Sequence, residues 1–128
     1  MGIFSKTFIL SVLFAMSVSI AQAAVELVTA KDASTLYAEK KAIIVDVRED
    51  DEWNDEHIAG ALHIPLKQLN DRVSELQSYK DTTIITQCKS GGRSAKALEL
   101  LKAAGFTKVY SMDGGIKAWD QQGLATTK

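Results

Sequence analysis

Thr82-Thr83-Ile84-Ile85-Thr86-Gln87-Cys88-Lys89-Ser90-Gly91-Gly92-Arg93-Ser94 is the stretch from which the fold can be read. The first five of its residues are β-branched, and the run through Gln87 reads as a strand. From Ser94 to Ala104 the apolar residues Ala95, Leu98, Leu101 and Ala104 recur at helical spacing, and Gly105 ends the run. Cys88 therefore falls where a strand ends, a short loop turns and a helix begins. Two adjacent glycines let the loop aim its N–H groups at one point, and the helix adds the positive end of its dipole there. Lys89 and Arg93 add side-chain charge. A thiol so placed ionises more readily than its reference value of about 8.5. A cysteine at a strand end often does nothing but fill space. Filling, however, does not require a double glycine and two cations behind the thiol.

The same alternation extends outward. Residues 25–28 read as a first short strand. Thr29 and Asp32 have capping-box spacing, which predicts a helix to about Glu39 with Leu36 and Tyr37 facing inward. Residues 42–47 form an unbroken apolar run, the pattern of a strand buried on both faces of a parallel sheet. Asp46 and Arg48 stand at its end, where open parallel sheets place their sites. Residues 49–60 read as a polar connection around Trp53 and His57. Residues 61–64 read as a short strand ended by Pro65. Leu66, Leu69, Val73 and Leu76 predict a helix from there to about Gln77. Residues 106–112 are a further strand candidate, Asp113-Gly114-Gly115 a turn, and 116–121 a last helix stopped by Gly123. The tail 125–128 is expected to be mobile. Strands alternating with helices define an α/β domain, with a largely parallel central sheet flanked by helices on both faces.

The first 23 residues stand apart. Lys6 supplies a weakly positive start, residues 7–20 are uncharged and mostly apolar, and Ala21-Gln22-Ala23 is a small-residue cleavage signature. The run is shorter than the roughly 20 residues that span a bilayer. The expectation is a removed signal peptide over 1–23, a single domain over 24–128, no stable membrane insertion after cleavage, and a periplasmic address. Without Lys6 the chain carries 14 basic and 16 acidic residues, a net charge of −2. That is no nucleic-acid-binding surface. The acidic residues crowd into 46–56 and read as a solvated face. With one cysteine in 128 residues, no internal disulfide is possible and thioredoxin-like exchange is disfavoured. A lone cysteine in an exported chain suggests a reactive thiol.

Four segments, in order, resemble the single-domain rhodaneses, a sulfurtransferase family. Ile44-Val45-Asp46-Val47-Arg48 is similar to the family's buried strand ending in Asp-x-Arg. The segment from His57 to Pro65 resembles its HIPGAxNIP, with Ala59 for Pro and His63 for Asn. Cys88 to Arg93 resembles its active loop C-x-x-G-x-R. Asp113 to Trp119 resembles its GGWxAW, with Ile116 at the first Trp. The match runs from about residue 36 to 123 and, with the leader, resembles the small exported bacterial rhodaneses of the phage-shock-protein E type. The resemblance implies that Cys88 takes a sulfane sulfur from thiosulfate or a similar donor as a persulfide. It then passes the sulfur to a thiophilic acceptor such as cyanide or a thiol. The N–H groups of Ser90, Gly91, Gly92, Arg93 and Ser94 would hold the outer sulfur, and Lys89 and Arg93 would attract the dianionic donor.

Other readings stay open beside this one. Arg93 could brace the loop or pair with a carboxylate, and Ser94 could cap the helix. Asp46 and Arg48, with Glu56 as a candidate partner, read as braces of the fold. His57 and His63 show no metal-ligand spacing, and no cofactor is implied. Trp53 and Trp119 read as packing or pocket wall. A phosphatase or arsenate reductase also uses a Cys-to-Arg loop, but phosphatase loops hold one more residue between the two, and no leaving-group acid is evident. A sulfur-carrier or partner-binding module is the rival from another class. Nothing in the sequence demands an oligomer.

Overall fold

The computed structural model describes residues 26–128. The leader and Val25 lie outside the described residues. Five strands, β1 (Leu27–Val28), β2 (Ala42–Asp46), β3 (Leu62–His63), β4 (Thr83–Gln87) and β5 (Val109–Met112), form one sheet in the order β1-β5-β4-β2-β3. Every pairing is parallel. The helices are α1 (Ala30–Ala38), α2 (Asp50–Asp55), α3 (Leu69–Arg72), α4 (Gly92–Ala103) and α5 (Gly115–Gln121).

β2 and β4 lie at the centre because both their faces are apolar. On one face Val45, Ile84 and Val109 pack against Leu69, Leu76 and the α4 residues Ala97, Leu98 and Leu101. On the other, Ile44, Ile85 and Met112 pack against Ala30 and Ala33 of α1 and Ile116 and Trp119 of α5. The expected α/β architecture, with helices on both faces, is the one found. The register pairs Asp46 with Gln87, so the ends of β2 and β4 reach the same edge. The chain leaves β2 toward β3 and leaves β4 in the opposite direction toward β5. A crevice opens where two such connections diverge, and this is where open parallel sheets bind ligands.

Four local expectations are corrected. The helix predicted to Gln77 is broken into a 3₁₀ turn (Leu66–Gln68), α3, and a second 3₁₀ segment (Val73–Tyr79). Apolar residues three and four apart satisfy either helix, and Asn70, Asp71, Ser74 and Ser78 are weak α-formers that tilt the balance. The polar connection after β2 contains a helix, α2. Three acidic residues in its first turn suit the positive helix end, and Glu49 N–H donates to Glu52 Oε1 at 3.3 Å. α4 begins two residues early and buries Ser94 and Ala97 beside Leu98 and Leu101, while Ala104 is exposed at its end. The tail is tied down. His57 and Thr127 exchange backbone hydrogen bonds at 2.9 and 2.8 Å, and the Trp119 indole N–H donates to Ala125 O at 3.0 Å. A buried indole needs such an acceptor, and here the tail supplies it.

Candidate active site

Cys88 follows directly on β4 and is 1% exposed. Gly91 has φ +122°, a conformation that L side chains rarely adopt, and this turn brings its N–H to 3.0 Å from Cys88 Sγ. Ser94 Oγ lies 3.5 Å from the sulfur, 3.1 Å from Gly91 O and 2.7 Å from Ser111 Oγ, so its hydroxyl proton can turn to the thiolate. Thr86 fixes Ser94 by donating to its carbonyl at 2.8 Å. Burial alone would push the Cys88 thiol up. The Ser94 side chain and the backbone N–H groups of Ser94, Gly91 and Ser90 outweigh it, and the thiol is held below the ordinary cysteine value. The rate of Cys88 alkylation against pH should therefore inflect below the normal cysteine range. Ser94→Ala should move the inflection upward, and an unmoved inflection would show that Ser94 does not stabilise the thiolate.

The loop is braced from behind by α5. Ile116 N–H donates to Cys88 O at 2.8 Å and Lys117 N–H to Lys89 O at 3.1 Å. Gln87 Nε2 adds a third bond, to Cys88 O at 3.0 Å. With these carbonyls held by α5, the Ser90 and Gly91 N–H groups are left for the sulfur. The approach is close enough that Gly115, at φ +59°, leaves no room for a Cβ against the Cys88 and Lys89 backbone.

Of the sequence-predicted residues, Cys88, Ser90, Gly91 and Ser94 come together at the sulfur. Lys89 is exposed beside them. Arg93 turns elsewhere, its two Nη atoms bonding both oxygens of Glu52 at 2.6 and 2.9 Å. This is the carboxylate-pairing alternative weighed for Arg93. The bond holds the Glu52 carboxyl down at about 2. Arg48 is buried, bonds Asp46 at 2.7 Å, and donates to the carbonyls of Glu56 at 2.7 Å and Glu52 at 3.3 Å. Asp46 and Arg48 thus brace the fold with Glu56, as expected, and with Glu52 they clamp α2 over the crevice. Trp53 stacks between His57 (3.7 Å) and His63 (4.6 Å), while Trp119 is core.

Sequence reasoning missed three participants. Glu52 was read as part of a solvated face. Gly115 was read as a turn residue and Gln87 as the end of a strand. Of these three, only Gly115, in the segment that resembles GGWxAW, carries a sequence signal tied to the family.

A cleft of about 180 Å³ lies between α2, the Cys88 loop and α5, lined by Arg48, Glu56, Lys89, Ile116, Lys117 and Asp120 among others. Burial, together with a hydrogen bond and charge from Glu56, pushes the Asp120 carboxyl up to about 6. A wider depression formed by Asp55, Glu56 and the tail touches no residue of the loop.

Fold and loop together define an α/β domain that seats a buried thiol beside backbone N–H donors at the end of its central strand. Residues 29–122 match the family model of the rhodanese-like domain, and the chain belongs to that family. Thiosulfate sulfurtransferase PspE of Escherichia coli is 36% identical over 73 residues, covering 57% of this chain and 69% of that protein. The uncharacterized protein slr1261 of Synechocystis is 39% identical over 98 residues, 77% of this chain, but the match spans only 54% of that protein. The crystal structure of a rhodanese-related protein from Thermoplasma volcanium superposes with a TM-score of 0.73 at 28% identity, covering 80% of this chain and 97% of that one.

Proposed function

We propose that the protein is a sulfurtransferase of the phage-shock-protein E type, exported to the periplasm after loss of residues 1–23 and acting as a monomer. The observation that carries the reading is the seat of Cys88 Sγ, buried with an N–H donor at 3.0 Å and further donors around it. The Cys88 thiolate attacks the outer sulfur of thiosulfate. A bond forms between the two sulfurs, the donor's S–S bond breaks, and its electron pair leaves with sulfite. The persulfide Cys88-S-S⁻ sits in the loop, and its charge meets the same N–H groups and the start of α4, as an oxyanion would. Because Arg93 is engaged by Glu52, attraction of the dianionic donor falls to Lys89 and the helix end. The same ion pair weighs against a phosphatase, whose loop arginine must face the anion.

The test is the intact mass of the protein before and after thiosulfate. The expected result is a gain of one sulfur atom that cyanide then removes, with repeated turnover. A reduced, accessible protein that gains no sulfur would overturn the reading. One loading without turnover by small acceptors would favour a carrier for a protein acceptor.

A further inference from the structure

The cleft between α2, the Cys88 loop and α5 holds charges that sulfur loading does not use. Arg48 is engaged by Asp46, and Glu52 by Arg93. What remains is three carboxyls, Asp55, Glu56 and Asp120, and the ammonium groups of Lys89 and Lys117. Thr126 Oγ1 donates to Glu56 Oε2 at 3.0 Å, and burial together with Glu56 pushes the Asp120 carboxyl up. Neither lysine forms an ion pair among the described residues. A cavity lined by carboxyls and ammoniums that stand outside any ion pair among the described residues is complementary to a small molecule bearing both charges. Its volume of about 180 Å³ equals the share of about six water molecules, enough for a compact amino acid. The cleft also adjoins the backbone of the Cys88 loop. Lys89 is the residue after Cys88, and Ile116, which lines the cleft, holds the Cys88 carbonyl at 2.8 Å. Asp120 lies four residues further along α5, about 6 Å along its axis.

On the persulfide reading above, we propose that this cleft is the acceptor subsite and takes a zwitterionic thiol of the amino-acid type, its ammonium on Glu56 and Asp120 and its carboxylate on Lys89 and Lys117. The acceptor thiolate attacks the outer sulfur of the Cys88 persulfide. A bond forms between acceptor sulfur and outer sulfur, and the bond from outer sulfur to Cys88 Sγ breaks. Its electron pair returns to Cys88 as the thiolate, and the acceptor leaves as its own persulfide anion. No oxidant or reductant enters.

The test compares acceptors within one enzyme preparation. Thiosulfate-loaded protein is discharged by L-cysteine, by neutral 2-mercaptoethanol and by anionic mercaptoacetate, with kcat/KM expressed per thiolate. L-cysteine should exceed both others by about tenfold, one well-made charge contact. In Asp120→Asn the ratio of L-cysteine to 2-mercaptoethanol should fall toward one. Because it is a ratio, it is insensitive to any change in loading. Equal use of the three thiols by the wild type, or a ratio unmoved in Asp120→Asn, overturns the subsite while leaving the sulfurtransferase reading intact. Binding of S-methyl-L-cysteine, followed by amide chemical shifts, separates the two ideas from the other side. Shifts at Lys89, Lys117 and Asp120 support the subsite even in protein that carries no sulfur. Absence of shifts at millimolar ligand overturns it.

Discussion

Cys88→Ser protein should transfer sulfur at least about a thousandfold more slowly than wild type and should gain no mass with thiosulfate. Loss of a covalent nucleophile commonly has an effect of that size or larger. The substitution suits the site. The sulfur is 1% exposed, and its neighbours are the Gly91 N–H at 3.0 Å and Ser94 Oγ at 3.5 Å, both able to bond a hydroxyl. The cost in stability should be about 1 kcal/mol, within the ordinary range for a single substitution. A steady-state assay with thiosulfate and cyanide, run beside thermal unfolding, checks both halves. Turnover within tenfold of wild type in a folded variant would mean that the sulfur travels by another route.

Gly115→Ala should be nearly as damaging, although residue 115 does not touch the sulfur. Its φ of +59° costs any side chain, of order 1–3 kcal/mol. A Cβ there would also meet the backbone of Cys88 and Lys89, which cannot rotate aside as a side chain can. Either α5 or the loop must move. Moving α5 breaks the bonds from Ile116 and Lys117 to the Cys88 and Lys89 carbonyls. Moving the loop shifts the N–H groups from the sulfur, and the loss of one such donor commonly costs about 10²–10³ in rate. The expected result is a fall in turnover of that size together with a lower Tm, and a Cys88 alkylation profile displaced toward higher pH. A variant with a lowered Tm but unchanged turnover and thiol titration would show that the brace supports only the fold. Gly123→Ala is the matched control. It also has positive φ, but a Cβ there meets nothing, so it should lower Tm alone.

These two residues also mark what could be read without coordinates. Cys88 was legible because everything that activates it lies within six residues of sequence. β2 and β4 were legible because strands buried on both faces lose the alternation that would make them ambiguous, and their apolar runs end in charge. Gly115 was visible as part of a turn and of a family-like segment, but its role was not, since its use lies in a contact with residues far back in the chain. The Glu52–Arg93 bond joins residues 41 apart. Nothing local to Glu52 distinguishes it from Asp51, which stays exposed. The broken segment after Pro65 was misread because spacings of three and four are shared by two kinds of helix. The tail was misread because four small and polar residues carry no periodic signal. Their value lies in backbone groups, which every residue possesses.

That tail bears on how the domain should be handled in the laboratory. The family match ends at residue 122, and an expression vector cut there would omit the acceptor for the Trp119 indole and the partner strand of His57. The useful boundary lies beyond Thr127. An affinity tag or fluorescent fusion joined directly behind Lys128 would begin two residues beyond the His57–Thr127 bridge and near Glu56, whose carboxyl Thr126 bonds. A spacer at that junction, or a cleavable tag ahead of Glu26, keeps foreign sequence away from the cleft.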